Sequence, residues 1–108
     1  MTDKSVVEKA AAAYQAIRES SRRRAFEKSV EAFVRVLAGV PEVAPTDVSD
    51  ADLGLLRTLG EGAIERIEER VATGEDPDTD KLQLVEGVYD IRRALEEIDQ
   101  WRRHHLKS

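Results

Sequence analysis

The segment Tyr14–Leu37, YQAIRESSRRRAFEKSVEAFVRVL, decides how this chain folds, because it joins two apolar stripes that point in different directions. Both stripes have the three- and four-residue spacing of one face of an α-helix. The first stripe ends at Ile17, and the second runs from Phe26 to Leu37. At about 100° per residue their centres lie about 180° apart, so one straight helix cannot turn both stripes toward the same core.

Two arrangements satisfy this pattern. Either the helix breaks within Glu19–Ser21, where serine hydroxyls can bond the backbone, or one long helix changes its packing partner midway. A new helix starting at Arg22–Arg24 would place three cations at the positive end of its dipole. We therefore predict a continuous helix over about residues 4–38, which Gly39 and Pro41 terminate.

Two further helices are predicted downstream. Ser49 is a suitable N-cap for a second helix over about residues 50–73, with Gly74 as the residue that ends it. A short acidic turn then leads to a third helix over about residues 81–105, so these two helices should pack antiparallel. The predicted fold is all-α, an antiparallel bundle of three or four helices forming a single domain over residues 1–108.

Two glycines lie within these predicted helices and not in loops. Gly60 lies on the apolar stripe of the second helix, and Gly87 lies beside the stripe of the third. Neither belongs to a phosphate-binding loop, which requires a longer glycine-rich turn after a strand. We predict that both glycines allow neighbouring helices to approach closely.

The composition excludes several classes of protein. Lys and Arg number 17 against 22 Asp and Glu, which gives a net charge of −5, and there is no cysteine for a disulfide or a thiolate metal site. No apolar run approaches the roughly 18 residues of a membrane span, and no signal-type segment follows the first residues. We expect a cytoplasmic protein that does not enter the membrane.

Catalytic, cofactor and metal sites are not predicted. The histidines His104 and His105 are adjacent, so on a helix they point about 100° apart and do not chelate together. No Glu-x-x-His step is present, although a di-metal helical bundle requires it. Without cysteine or a buried histidine, nucleophilic catalysis lacks its activating base. We predict that the chain is not an enzyme. A carboxylate-rich metal-binding bundle is kept as an alternative function, ranked third after the two given below.

Charge is segregated along the chain. The net charge is +3 over residues 1–41, −9 over residues 42–80 and +1 over residues 81–108. The acidic middle is either a solvated surface or a surface that meets a basic face of a protein partner.

The stretch Val48–Gly62, VSDADLGLLRTLGEG, resembles the opening of a helix-turn-helix of the LuxR type. The resemblance implies that a second, basic helix follows and reads the DNA major groove. The residues that follow here are acidic and would repel phosphate; they are Glu65, Glu68, Glu69, Glu75 and Asp76. A DNA-associated transcriptional regulator is therefore the second alternative, and nucleic acid is not the expected partner.

The leading hypothesis is a non-catalytic protein–protein interaction module, such as a small regulatory, adaptor or inhibitory subunit. An unbroken first helix would overhang the bundle, and pairing of two overhangs predicts a homodimer. Trp101 lies about 90° off the stripe of the third helix, so it either caps the bundle edge or anchors a partner. The predicted partner-binding residues are Trp101, Tyr14, Ile17, Arg22, Arg23, Arg24, Glu65, Glu68 and Glu69.

Overall fold

The computed structural model describes residues 6–42, 48–73 and 78–106, and the side chains of the last helix from 84 to 104. These residues form four α-helices, α1 (Val6–Glu19), α2 (Arg23–Ala38), α3 (Asp50–Thr73) and α4 (Asp78–Leu106). A single 3₁₀ turn, Val40–Glu42, follows α2. The predicted all-α bundle is confirmed, and the fourth helix comes from the first predicted one, which is divided in two.

The prediction of a continuous helix over residues 4–38 is wrong, because the chain breaks at Ser20–Arg22. The Ser20 hydroxyl donates to the Ala16 carbonyl over 2.6 Å, and its backbone N–H bonds the same oxygen over 3.0 Å. The Ser20 hydroxyl also lies 3.5 Å from the Ser29 hydroxyl of α2. Ser20 therefore ends α1 and contacts α2.

Burial explains why the break is preferred. Ile17 and Phe26, one from each stripe, are fully buried in the same core. Burying an isoleucine or phenylalanine side chain contributes about 1.5–3 kcal/mol. A cation at a helix N-terminus costs about 0.3–1 kcal/mol, so three arginines cost about 1–3 kcal/mol, which is less than the burial of the two side chains contributes. Arg22 is the N-cap of α2 without a capping side-chain hydrogen bond, and the side chains of Arg23 and Glu27 pair over 3.3 Å within the first turns.

The helix directions follow from contacts between them. Arg57 of α3 donates to Asp99 of α4, and the N-terminal Asp50 of α3 pairs with Arg102 near the end of α4, so these helices are antiparallel as predicted. Tyr14 of α1 contacts α3 at Gly62, and Ser21, just after α1, contacts α3 at Arg70. Since the contacts advance along both helices together, α1 and α3 run in the same direction. Both α1 and α4 pack against α2 and α3.

The start of α3 is a reciprocal capping arrangement. The Asp52 backbone N–H donates to the Ser49 hydroxyl over 3.1 Å, and the Ser49 N–H donates to the Asp52 carboxylate over 3.0 Å. The predicted Ser49 cap is confirmed, and two of the backbone donors at this helix end are satisfied.

After this cap, α3 continues without interruption to Thr73. The resemblance to a helix-turn-helix implied a turn and a new helix after Gly62. Because Gly62 instead lies within a 24-residue helix, that local arrangement is absent from the described part of the chain.

The predicted packing glycines are both buried between helices. A Cβ atom at Gly60 would lie 2.8 Å from the Leu95 Cδ1, and one at Gly87 would lie 3.0 Å from the Val30 Cγ1. Helix α3 thus meets α4 closely at Gly60, and α4 meets α2 closely at Gly87. Gly74, predicted to end the second helix, lies outside the described residues.

The core contains one charged side chain among the described residues, Arg70, which is 3% exposed. Its Nη1 donates to the Ser21 carbonyl over 3.2 Å, and its guanidinium carbon lies 4.7 Å from the centre of the Phe26 ring. Arg66 approaches the same ring at 5.7 Å. Arg70 therefore joins the end of α3 to the break between α1 and α2.

Candidate protein-binding surface

The two predicted partner-binding residues of α1 do not form an exposed stripe. Ile17 is fully buried in the core, so the prediction that it contacts a partner is wrong for this fold. Tyr14 is half-buried, and a Cβ atom at Gly62 would lie 2.8 Å from its hydroxyl, so the tyrosine side chain packs on the α3 backbone. Arg18 lies 5.9 Å from the centre of the Tyr14 ring. The overhang that predicted a homodimer is absent because α1 folds back on its own chain.

The predicted charged residues are exposed on two helices. Arg22–Arg24 surround the start of α2, and Glu65, Glu68 and Glu69 lie along α3. Glu68 faces Arg92 of α4, with 3.8 Å between the carboxylate and guanidinium atoms. Because Ser21 contacts Arg70, the arginine cluster and Glu69 lie at the same end of the bundle.

Trp101 lies at the opposite end, near the C-terminus of α4. Its side chain is half-buried and packs against the hydrophobic core. The adjacent Arg102 pairs with Asp50, and Arg103 pairs with Asp99 at 3.1 Å. Trp101 thus packs at the edge of the bundle with part of its side chain exposed.

Among the described side chains in the first half of α4, two large apolar ones are exposed that the sequence pattern did not indicate. Tyr89 is 67% exposed and Val85 is 41% exposed, and they are neighbours one turn apart. We call this pair the apolar ridge. Leu55, the third exposed large apolar side chain of the described residues, lies on α3 at 51% exposure.

A cleft of about 270 Å³ between α3 and α4 borders the apolar ridge. Its lining is apolar except for one carboxylate. The lining residues are Ile67, Glu68, Val71, Ala72, Val85 and Val88.

The other side of α4 borders a larger groove of about 400 Å³, which we call the α2–α4 groove. Its apolar lining residues are Val30, Val34, Leu84 and Gly87. Its charged lining residues are Glu27, Glu31, Arg35, Glu86 and Asp90. Four carboxylates against one guanidinium make the walls of this groove strongly acidic.

One signal in the sequence could have identified the apolar ridge. On the α4 helix, Tyr89 lies about 140° from the centre of the stripe that includes Leu84 and Ile91, so it is an aromatic residue on the side of the helix away from the core. The α2–α4 groove has no such signal, because its walls come from two helices more than 40 residues apart whose pairing the sequence does not state.

The described residues contain no cluster of three or more side chains suited to hold a metal ion. Every buried side-chain nitrogen or oxygen in that part of the chain has a hydrogen-bond partner. None of the helices as described is both long and apolar enough to cross a membrane.

Comparison of the chain with protein-family models, with curated proteins and with solved structures gives no significant match in any of the three.

Proposed function

We propose that this protein is a non-catalytic helical interaction module, a small regulatory, adaptor or inhibitory subunit that works in the cytoplasm. The observation that carries the proposal is the apolar ridge. In a chain that is 36% charged, Tyr89 and Val85 stand exposed together beside an apolar cleft. Tyrosine is enriched at the centres of protein interfaces, where its ring buries a large area at low entropic cost.

The charge layout supports a protein rather than DNA as the partner. The carboxylates that line the α2–α4 groove would repel a phosphate backbone. A basic protein surface would instead be attracted to them. Self-association remains one form of the proposal. In that form, two copies of the chain contact each other through the apolar ridge and not through an α1 overhang.

The test is site-specific photo-cross-linking in the source cell. A photoreactive phenylalanine analogue replaces Tyr89 in one protein and Leu55 in another, because the two positions are similarly exposed and lie on different helices. We expect a discrete adduct at position 89 that disappears when Val85→Asp is added, and no such adduct at position 55.

The mass of the adduct identifies the kind of partner. An adduct of twice the chain mass of 12.1 kDa would establish a homodimer through the ridge, and any other discrete mass a different protein. No adduct at position 89, or equal adducts at both positions, would contradict the proposed function.

A further inference from the structure

We infer that the α2–α4 groove is the docking site for a basic amphipathic helix of a partner protein. This inference rests on the proposed function and names the chemistry of its partner. It is carried by two properties of the same groove, an apolar floor and walls whose described residues have a net negative charge.

The carboxylates of the groove repel one another. Glu27 and Glu31 are one turn apart on α2, and Glu86 and Asp90 are one turn apart on α4. Like charges at this spacing destabilise a helix by about 0.2–0.5 kcal/mol per pair. A cationic side chain between the two helices would relieve both repulsions, so the folded protein favours a basic occupant.

The chain supplies little compensation for these charges. Glu27 is paired with Arg23, but no ion-pair partner is found for Glu31, Glu86 or Asp90 among the described residues. Arg35 is the single positive charge in the lining. The groove therefore keeps a net negative field that can steer a basic segment toward it.

The floor of the groove supplies the apolar contact. Val30 and Leu84 are buried beneath it, while Val34 is half-buried. At Gly87 the absence of a side chain lets α4 approach Val30 of α2 closely, so the two helices meet at the floor of the groove. A volume of about 400 Å³ accepts apolar side chains from one face of an incoming helix.

A helix suits this groove better than an extended strand. The walls are two helices, and a third helix can pack into the furrow between them with ordinary ridge-in-groove geometry. An extended segment would need a free sheet edge for its backbone, and the described residues form only helices and turns. The partner segment should thus carry leucine-type residues on one face and lysine or arginine on both flanks.

The experiment measures binding of a fluorescein-labelled 14-residue peptide of leucine and lysine at helical spacing, by fluorescence anisotropy. Two variants of the full chain are compared, E86Q/D90N in the groove and E65Q/E69Q on the exposed face of α3. Both remove two negative charges, and both pairs are one turn apart in a helix, so the variants are matched in net charge and in local repulsion.

We expect E86Q/D90N to weaken peptide binding about 3- to 30-fold, the equivalent of two partly exposed ion pairs, and E65Q/E69Q to change it less than about twofold. A peptide with serine in place of leucine should bind at least about tenfold more weakly, because it cannot fill the apolar floor.

Three outcomes would overturn the groove as the docking site. They are equal weakening by both variants, a larger effect of E65Q/E69Q, and no saturable binding of the leucine–lysine peptide. A homodimer adduct in which Arg22–Arg24 of a second copy occupy the groove would also replace the inferred partner. Since the cross-linking test at Tyr89 does not depend on these carboxylates, the proposed function can stand when the groove inference fails.

Discussion

The guanidinium of Arg70 donates a hydrogen bond to the carbonyl oxygen of Ser21 over 3.2 Å, which joins the C-terminal half of α3 to the break between α1 and α2. The same group stacks over the Phe26 ring at 4.7 Å. An arginine in the core is tolerated when its donors are satisfied and its flat face lies on an aromatic ring. Arg70 thus stabilises the turn that lets two opposed apolar stripes share one core.

Arg70→Ala is expected to lower the free energy of unfolding by about 2–4 kcal/mol, because it removes the hydrogen bond and the ring contact and leaves a cavity. Arg70→Lys should lose about 1–2 kcal/mol, since a lysine cannot reproduce the planar stack. Urea denaturation monitored by circular dichroism measures both. Arg66→Ala is the control, expected to cost about 1 kcal/mol or less, because its guanidinium is half-buried and lies farther from the Phe26 ring. Equal losses at positions 66 and 70 would contradict a special role for Arg70.

Ser49→Ala should lower the free energy of unfolding by about 1 kcal/mol, because it removes the hydroxyl that accepts from the Asp52 backbone N–H. Thr58→Ala is a suitable comparison, since the Thr58 hydroxyl bonds the Gly54 carbonyl within the helix and alanine has the higher helix propensity. We expect that variant to be neutral or slightly more stable. A loss at Thr58 as large as that at Ser49 would mean that the cap is not the stabilising feature.

A side chain added at Gly54 and one added at Gly60 should change the stability of the protein in opposite directions. Gly54 is exposed, and a Cβ atom there would meet no other part of the protein within 4 Å, so Gly54→Ala is expected to stabilise α3 by roughly 0.5–1 kcal/mol. Gly60→Leu should cost about 1–3 kcal/mol, because its side chain would displace Leu95 from the contact with α4. Thermal unfolding of the two variants measures this difference. A Gly60→Leu protein as stable as Gly54→Ala would show that α3 and α4 do not pack closely there.

The sequence was enough to predict the regular helices, but it did not predict the break between α1 and α2. The boundaries of α3 and the antiparallel packing of α3 on α4 follow from local signals, namely the Ser49 cap and two apolar stripes. At Ser20–Arg22 the local dipole argument favoured a continuous helix, but the burial of Ile17 against distant helices is worth more than the charge penalty. That burial cannot be evaluated before the partners of α1 are known.

The same limit applies to the candidate surface. The exposed carboxylates and arginines could be listed from the sequence, yet only the fold shows that Ile17 is inaccessible and that Glu31 of α2 and Asp90 of α4 line one groove. Arg70 illustrates the point in the core. Its spacing from Ile67 places it on the buried stripe, but its partners, Ser21 and Phe26, are more than 40 residues away.

The most direct test of the proposed docking surface uses the partner that is captured by cross-linking at position 89. The affinity of this partner is measured for the Tyr89→Ser protein and for the Leu55→Ser protein. Isothermal titration calorimetry gives the two dissociation constants, and thermal unfolding confirms that both exposed-site variants remain folded. Because a buried tyrosine anchor is worth about 2 kcal/mol or more, Tyr89→Ser should weaken binding at least about 30-fold. Leu55→Ser should change it less than about twofold, since Leu55 lies near the start of α3, far along that helix from the cleft residues Ile67–Ala72 that border the ridge. Unchanged affinity of the Tyr89→Ser protein, or an equal loss in both variants, would contradict the assignment of the apolar ridge as the interaction surface.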